Sequence, residues 1–219
     1  MKPSFLLPYL AVFLLGCVQS NSQNNNLNQS KNEQIGGPCE GCDAVMKSPV
    51  PFNRLGWVDT LPDWNEKGQK LIVSGTVYKS DGKTPAKDVV LYVYHTDQSG
   101  RYTNKYNEEG WAGRNGYVKG WLKTNDKGQY KFYTLKPAPY PGASIPAHIH
   151  PIVKEPGKTE YYIDEYLFEG DSFLTTAEKE RQEGRGGGGI VVPKERNGIL
   201  YAERNIYLGR NIPNYPSGK

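Results

Sequence analysis

Three histidines occur in the whole chain, and two of them form the tripeptide His148-Ile149-His150. On a β-strand, residues i and i+2 point to the same face, so this spacing aims two imidazoles at one point. Such a pair suits a metal ion. No carboxylate lies between Asp126 and Glu155, so the sequence offers no evident third ligand of the two-histidine, one-carboxylate kind. Tyrosines are plentiful instead: Tyr102, Tyr106, Tyr117, Tyr130, Tyr133 and Tyr140 all precede the pair. A free phenol ionises only near pH ~10. A trivalent iron holds it as phenolate, because a hard, highly charged ion stabilises a hard anionic oxygen. Two histidines with two tyrosines therefore favour Fe(III) over Zn(II) or Fe(II). The lone His95 is in phase with Leu91 and Val93, and reads as a structural histidine rather than a ligand.

The elements that must carry these residues are strands. Leu71–Tyr78, Val89–Tyr94, Gln129–Thr134 and His148–Val153 are β-branched or alternating runs, and Ser80-Asp81-Gly82-Lys83 and Asp126-Lys127-Gly128 are turn signals between them. Lys158–Phe168 and Gly198–Leu208 read as two further strands. Thr175–Gln182 is the one short helix, with Thr175 or Thr176 as its cap. The run Gly186–Gly189 lacks the strand before it and the Lys-Ser/Thr after it that a phosphate loop needs, and reads as a loop into the next strand. The expected fold class is all-β: a β-sandwich with one short helix and long loops. The net charge of +4 is scattered along the chain, which excludes a nucleic-acid footprint.

The N-terminus reads as a targeting segment. A basic start at Lys2 precedes the apolar run Phe5–Leu15, which is too short to span a bilayer. It ends in Leu14-Leu15-Gly16-Cys17, which looks like a bacterial lipoprotein lipobox. The expected organisation is a signal peptide over 1–16, a flexible Asn, Gln and Ser-rich tether over 17–37, and one folded domain over 38–219. Lipid on Cys17 would anchor the protein to a bacterial membrane, facing the periplasm or the cell surface. Cys39 and Cys42 then remain; outside the cytoplasm a structural disulfide is the simplest reading of such a pair.

Several segments together resemble the intradiol ring-cleavage dioxygenases, over roughly Trp57 to Pro216. Gly100-Arg101-Tyr102 is similar to the segment carrying that family's first iron tyrosinate. Lys136-Pro137-Ala138-Pro139-Tyr140-Pro141 is similar to the second, and Pro146-Ala147-His148-Ile149-His150 to the two-histidine strand. Tyr166-Leu167-Phe168-Glu169-Gly170-Asp171 resembles the segment that closes the site. The resemblance implies a β-sandwich and Fe(III) held by Tyr102, Tyr140, His148 and His150. It implies a catecholic substrate and O2, with Tyr140 as the catalytic tyrosinate that the substrate displaces. Cleavage would fall between the two hydroxylated carbons and give a muconate-type diacid. A homodimer is the corresponding expectation for assembly.

Two positions depart from the family pattern. Its usual Arg three residues before the first histidine is Ile145 here, and its usual Gln six residues before the Asp of Phe-Glu-Gly-Asp is Glu165. Lys136, Lys154 and Arg101 are the cations that could replace the Arg. Tyr106 competes with Tyr102 for the first tyrosinate, and the Gly-Arg-Tyr match favours Tyr102. Trp111, Trp121 and Tyr117 read as sandwich aromatics, and Arg204 and Arg210 as a solvated face. Two further readings stand beside the enzyme. One is a non-catalytic extracytoplasmic binding module like the carboxypeptidase-regulatory or transthyretin-like sandwiches, which accounts for Lys70–Tyr102 but not for the Tyr and His set. The other is an iron-binding family member that has lost ring cleavage, which Ile145 suggests.

Overall fold

The computed structural model of the protein describes residues 34–216. The signal segment, Cys17 and most of the expected tether lie outside the described residues. Ahead of the expected boundary at Pro38, Ile35 already packs against the core and the Gly36 amide donates to the Pro213 carbonyl at 2.7 Å.

Two six-stranded sheets face one another. The first contains β1 (Val58–Thr60), β2 (Lys70–Tyr78), β5 (Gln129–Leu135), β10 (Lys194–Arg196), β11 (Ile199–Glu203) and β12 (Ile206–Tyr207). Its order is β1-β5-β2-β11-β10, with β12 extending the pairing along β2. The second contains β3 (Val90–Tyr94), β4 (Lys119–Lys123), β6 (His148–Lys154), β7 (Tyr161–Tyr162), β8 (Tyr166–Phe168) and β9 (Ile190–Val191). Its order is β4-β3-β6-β8-β9, with β7 also on β6. Alternating residues of both sheets meet in one apolar core, including Leu71, Val73 and Phe132 from the first sheet and Leu91, Val93 and Ile149 from the second. The all-β sandwich is therefore the observed fold.

Two long strands expected from the sequence are each broken, for a visible reason. Lys158–Phe168 divides into β7 and β8 because Asp164-Glu165 leaves the ladder; the Asp164 amide donates to the Arg185 carbonyl and its carboxylate accepts from the Gly184 amide at 2.8 Å. Gly198–Leu208 divides into β11 and β12 at Arg204-Asn205, where the Asn205 side-chain oxygen takes the Thr76 amide at 3.0 Å in place of a strand carbonyl. Arg204 is buried, not solvated as expected: it donates to the Asp164 carbonyl at 2.6 Å and lies over the Tyr166 ring. Arg210 is exposed. The helix expected at Thr175–Gln182 is α2 (Thr176–Glu180), with the Thr175 hydroxyl accepting from the Glu178 amide at 3.2 Å. A second short helix, α1 (Gly110–Arg114), carries no side-chain cap and left no sequence signal.

The outer face of the second sheet is covered as well. Val90, Tyr92, Trp121 and Ile152 point away from the inter-sheet core and pack against Cys42, Ala44 and Val45 of the N-terminal segment. Cys39 and Cys42 are disulfide-bonded, and the Trp121 indole donates to the Val45 carbonyl at 2.9 Å. This outer face is the one that His148 and His150 share.

Candidate metal centre

Alternation along β6 places the two histidines. Ile149 and Val153 turn into the inter-sheet core, so His148 and His150 turn to the opposite face. His148 pairs in register with Leu167 of β8, and His150 with Tyr94 of β3. The Tyr94 ring stacks on His150 with centroids 4.5 Å apart, which fixes the plane of the imidazole.

Tyr102 and Tyr140 arrive on two loops that brace one another. The Tyr102 loop is a tight turn built on Asp97, whose carboxylate accepts from the Ser99 amide at 2.8 Å and from the Thr103 hydroxyl. Gly100 in that turn has φ 73°, and a Cβ there would collide with the Pro139 carbonyl. The absence of a side chain thus lets the two loops touch. From the Tyr102 loop to the Tyr140 loop, the Thr96 hydroxyl donates to the Ala138 carbonyl at 2.6 Å and the Gln98 side-chain amide to the Lys136 carbonyl at 2.9 Å. Prolines at 137, 139 and 141 stiffen the segment around Tyr140.

The four side chains converge. The Tyr102 and Tyr140 hydroxyls are 2.7 Å apart; the Tyr102 hydroxyl is 2.8 Å from His150 Nε2, and the Tyr140 hydroxyl is 3.2 Å from His148 Nε2. His148 Nδ1 lies 2.7 Å from the Pro146 carbonyl, which can only accept, so Nδ1 carries the proton and the Nε2 lone pair faces the tyrosines. His150 Nδ1 lies 2.8 Å from a carboxylate oxygen of Glu165, which sets the same tautomer. His148, His150 and Glu165 also form a group able to hold a metal ion, their donor atoms lying within 4.8 Å of one another. A carboxylate is therefore near, contrary to the expectation from the sequence between Asp126 and Glu155. Glu165 escaped notice as a neighbour because it sits in the irregular step between β7 and β8. Its one sequence signal was its departure from the family pattern.

Burial favours the neutral forms of Tyr102, Tyr140 and His148. Burial pushes the Tyr102 phenol well above its usual range, and the bond to Tyr140 adds to the shift. Burial raises Tyr140 too, with the charge of Glu165 acting in the same direction and the Tyr102 hydroxyl acting against both. Burial and the neighbouring His150 lower His148. Burial works upward on Glu165, but the hydrogen bond from His150 and the two neighbouring imidazoles together outweigh it, so Glu165 stays an anion.

The remaining sequence candidates fall elsewhere. Tyr106 is exposed, consistent with the choice of Tyr102. His95 is fully buried between the Thr96 carbonyl and the Thr134 hydroxyl, each 2.7 Å away, and is structural as expected. Ile145 is 45 % exposed. Of the three cations that could replace the Arg, Lys136 pairs with Asp171 at 3.8 Å, Lys154 bonds the Lys158 carbonyl, and Arg101 is exposed. A cavity of about 170 Å³ adjoins the centre; Tyr94, His150, Ile152, Tyr162, Ile163 and Glu165 line it together with Cys39 and Glu40, and no Lys or Arg among the described residues does. Trp111, Trp121 and Tyr117 do not line it.

The protein-family model described as Dioxygenase matches residues 57–181, more than half of the chain and all four converging residues. The protein belongs to the intradiol ring-cleavage dioxygenase family. Among its relatives, the chlorocatechol 1,2-dioxygenase of Cupriavidus pinatubonensis is 27 % identical over 165 residues, covering 68 % of this chain and 59 % of that protein. The protocatechuate 3,4-dioxygenase beta chain of Burkholderia cepacia is 32 % identical over 89 residues, 38 % of this chain and 37 % of that one. This intradiol-family chain thus spans about three fifths of the length of the chlorocatechol relative. The structure of catechol 1,2-dioxygenase from Acinetobacter sp. ADP1, inhibited by bound mercury, shares the fold with a TM-score of 0.54 at 18 % identity, covering 81 % of this chain and 70 % of that one.

Proposed function

We propose that the protein is a non-haem Fe(III) dioxygenase that opens a catechol-type ring between its two hydroxylated carbons with O2. The observation that carries the reading is the meeting of two phenol oxygens and two Nε2 lone pairs, 2.7–3.2 Å apart along the chain of contacts. Donor atoms about 2.0–2.1 Å from a common ion stand roughly 3 Å from one another, so the set fits a metal. Its chemistry fits Fe(III): two phenols held protonated by burial become good ligands only for a strong, hard Lewis acid. When bound, Fe(III) would stabilise both phenolates and make a bound catecholate electron-rich enough to react with O2.

The chain's own residues supply the rest. His148 and His150 present fixed Nε2 lone pairs. Tyr102, bonded to both Tyr140 and His150, is the anchored phenol. Tyr140 lies between the exposed residues Pro139 and Pro141, and is the phenol able to swing aside; its oxygen, a phenolate when a metal is bound, would then take up one catechol proton. The cavity that reaches the centre at His150 is the proposed approach for the ring; Tyr102, Tyr140 and His148 do not line it.

Iron loading tests the reading. The ferric protein should be red to purple from tyrosinate-to-iron charge transfer, and should consume O2 with a catechol. Protein that binds iron and stays colourless would sink it. A second reading, iron binding without ring cleavage, is favoured by Ile145, which stands where the family pattern has Arg. It predicts that catechols shift the colour without oxygen uptake. We further propose a lipid anchor on Cys17 and an extracytoplasmic location, supported by Leu14-Leu15-Gly16-Cys17 and by the Cys39–Cys42 disulfide. Labelling with a radioactive fatty acid that Cys17→Ala abolishes is the check. A homodimer is proposed by analogy with the family, to be read from the mass in solution.

A further inference from the structure

The two histidines of the centre are held from behind by different chemistry. His148 donates its Nδ1 proton to a neutral acceptor, the Pro146 carbonyl, at 2.7 Å. His150 donates its own to an anion, a Glu165 oxygen, at 2.8 Å. The carboxylate does not reach this position by chance of rotamer alone. Its backbone is pinned where the Glu165 carbonyl packs on Gly189, so closely that a Cβ on Gly189 would overlap it. On the far side of the imidazole, Tyr94 stacks on the ring at 4.5 Å. His150 therefore has one plane, one tautomer and an anionic partner.

A carboxylate behind a ligating imidazole makes the far nitrogen a stronger donor, and a stronger donor stabilises the higher oxidation state of the metal in front of it. An amide at the same place would accept the same hydrogen bond without the charge. We infer that Glu165 is a positioning residue that acts through His150 to lower the Fe(III)/Fe(II) potential of the centre and so hold resting iron in the ferric state. The inference rests on the ferric reading above for its redox part. It also rests on a dyad that exists without any metal.

The test compares the full chain with Glu165→Gln, both loaded with iron. Spectroelectrochemistry should give a higher midpoint potential for the variant. Its charge-transfer band should move to longer wavelength, because iron that is easier to reduce accepts an electron from tyrosinate at lower energy. Iron stoichiometry should be unchanged. An unmoved midpoint and band would overturn the proposal. Loss of iron from Glu165→Gln with recovery in Glu165→Asp would also overturn it, since Glu165 would then be a ligand. A second arm uses the metal-free protein: long-range ¹H–¹⁵N spectra should show His150 protonated at Nδ1, changing to a mixture of tautomers in Glu165→Ala while His148 stays fixed. An unchanged His150 would refute the dyad. If wild-type protein takes up iron without colour, the ferric tyrosinate reading fails, and the metal-free arm still decides the dyad.

Discussion

Tyr102 and Tyr140 are phenols in an environment that opposes their ionisation, and that conflict is the chemical content of the site. Burial raises both. Metal-free protein at neutral pH should accordingly show no phenolate absorbance, and loading with Fe(III) should release protons as colour develops. Tyr140→Phe should shift the band, and His148→Ala should weaken iron binding strongly enough to lose it. His95→Ala should keep the colour, because His95 faces Thr96 and Thr134 rather than the centre, while costing roughly 2–3 kcal/mol of stability in thermal melts. At this scale the sequence was informative where spacing is short. The two histidines are one residue apart, and a strand fixes what that means. Glu165 was opaque because its place depends on a break in β8's approach, which no local pattern encodes. Arg204 was opaque for a similar reason: its burial depends on the Asp164 carbonyl and the Tyr166 ring, both distant in sequence.

Elements bring a second buried polar group close to the centre. Just past the end of β3, His95 lines up with Thr134 near the end of β5 and with Asp63 after β1, the Thr134 oxygen being 2.7 Å from His95 Nε2 and 2.8 Å from an Asp63 oxygen. Burial pushes Asp63 up to about 6 from 3.8, and burial pushes His95 down to about 4 from 6.5. The two have opposite effects on stability. A raised Asp63 stabilises the fold below about pH 4, and that contribution is lost as pH rises through about 6. A lowered His95 stabilises it above about pH 6.5, and that contribution is lost as pH falls through about 4. In the native protein the two slopes offset between pH 4 and 6, so denaturant midpoints should change little there. Asp63→Asn should expose the histidine slope, with stability falling on acidification. His95→Gln should expose the opposite slope, each by up to about 3 kcal/mol. A flat profile in both variants would refute this pairing. The strands themselves were largely legible: β2, β3, β5 and β6 lie where β-branched runs and Asp-Gly turns put them. The short pieces β1 and β9 were not, because two or three residues paired in parallel carry no periodicity to read.

At the level of the whole molecule, the second sheet is buried on both faces, by the first sheet on one side and by the Cys39–Val45 region on the other. The disulfide closes a very small loop, so its entropic contribution is near the low end, about 2 kcal/mol. Its reduction, or Cys42→Ser, should lower the melting temperature by several degrees. It should also alter the cavity beside His150, which Cys39 and Glu40 help to line, so catechol affinity should change while the colour of the iron-loaded protein persists. Retained affinity with unchanged melting would argue against that coupling. The layered architecture was predictable from alternation. The covering of the outer face was not, since a segment with no regular strand does the covering.

The placement of the histidines on the outside of the sandwich has a kinetic consequence. Inter-sheet packing belongs to Ile149 and Val153, and the proposed ligand geometry to His148 and His150, on opposite faces of one strand. An ion held as proposed would thus rest on that strand face and on the two loops that carry Tyr102 and Tyr140, and not on the inter-sheet core. Exchange of metal should proceed by local opening, far faster than global unfolding. Removal of iron by a strong chelator, followed by stopped-flow absorbance, should keep its rate when a core substitution such as Val153→Ala accelerates unfolding. It should quicken when the braced loops are loosened by Thr96→Ala, which frees the Ala138 carbonyl. A chelation rate that tracks unfolding across such variants would place the barrier in the core instead.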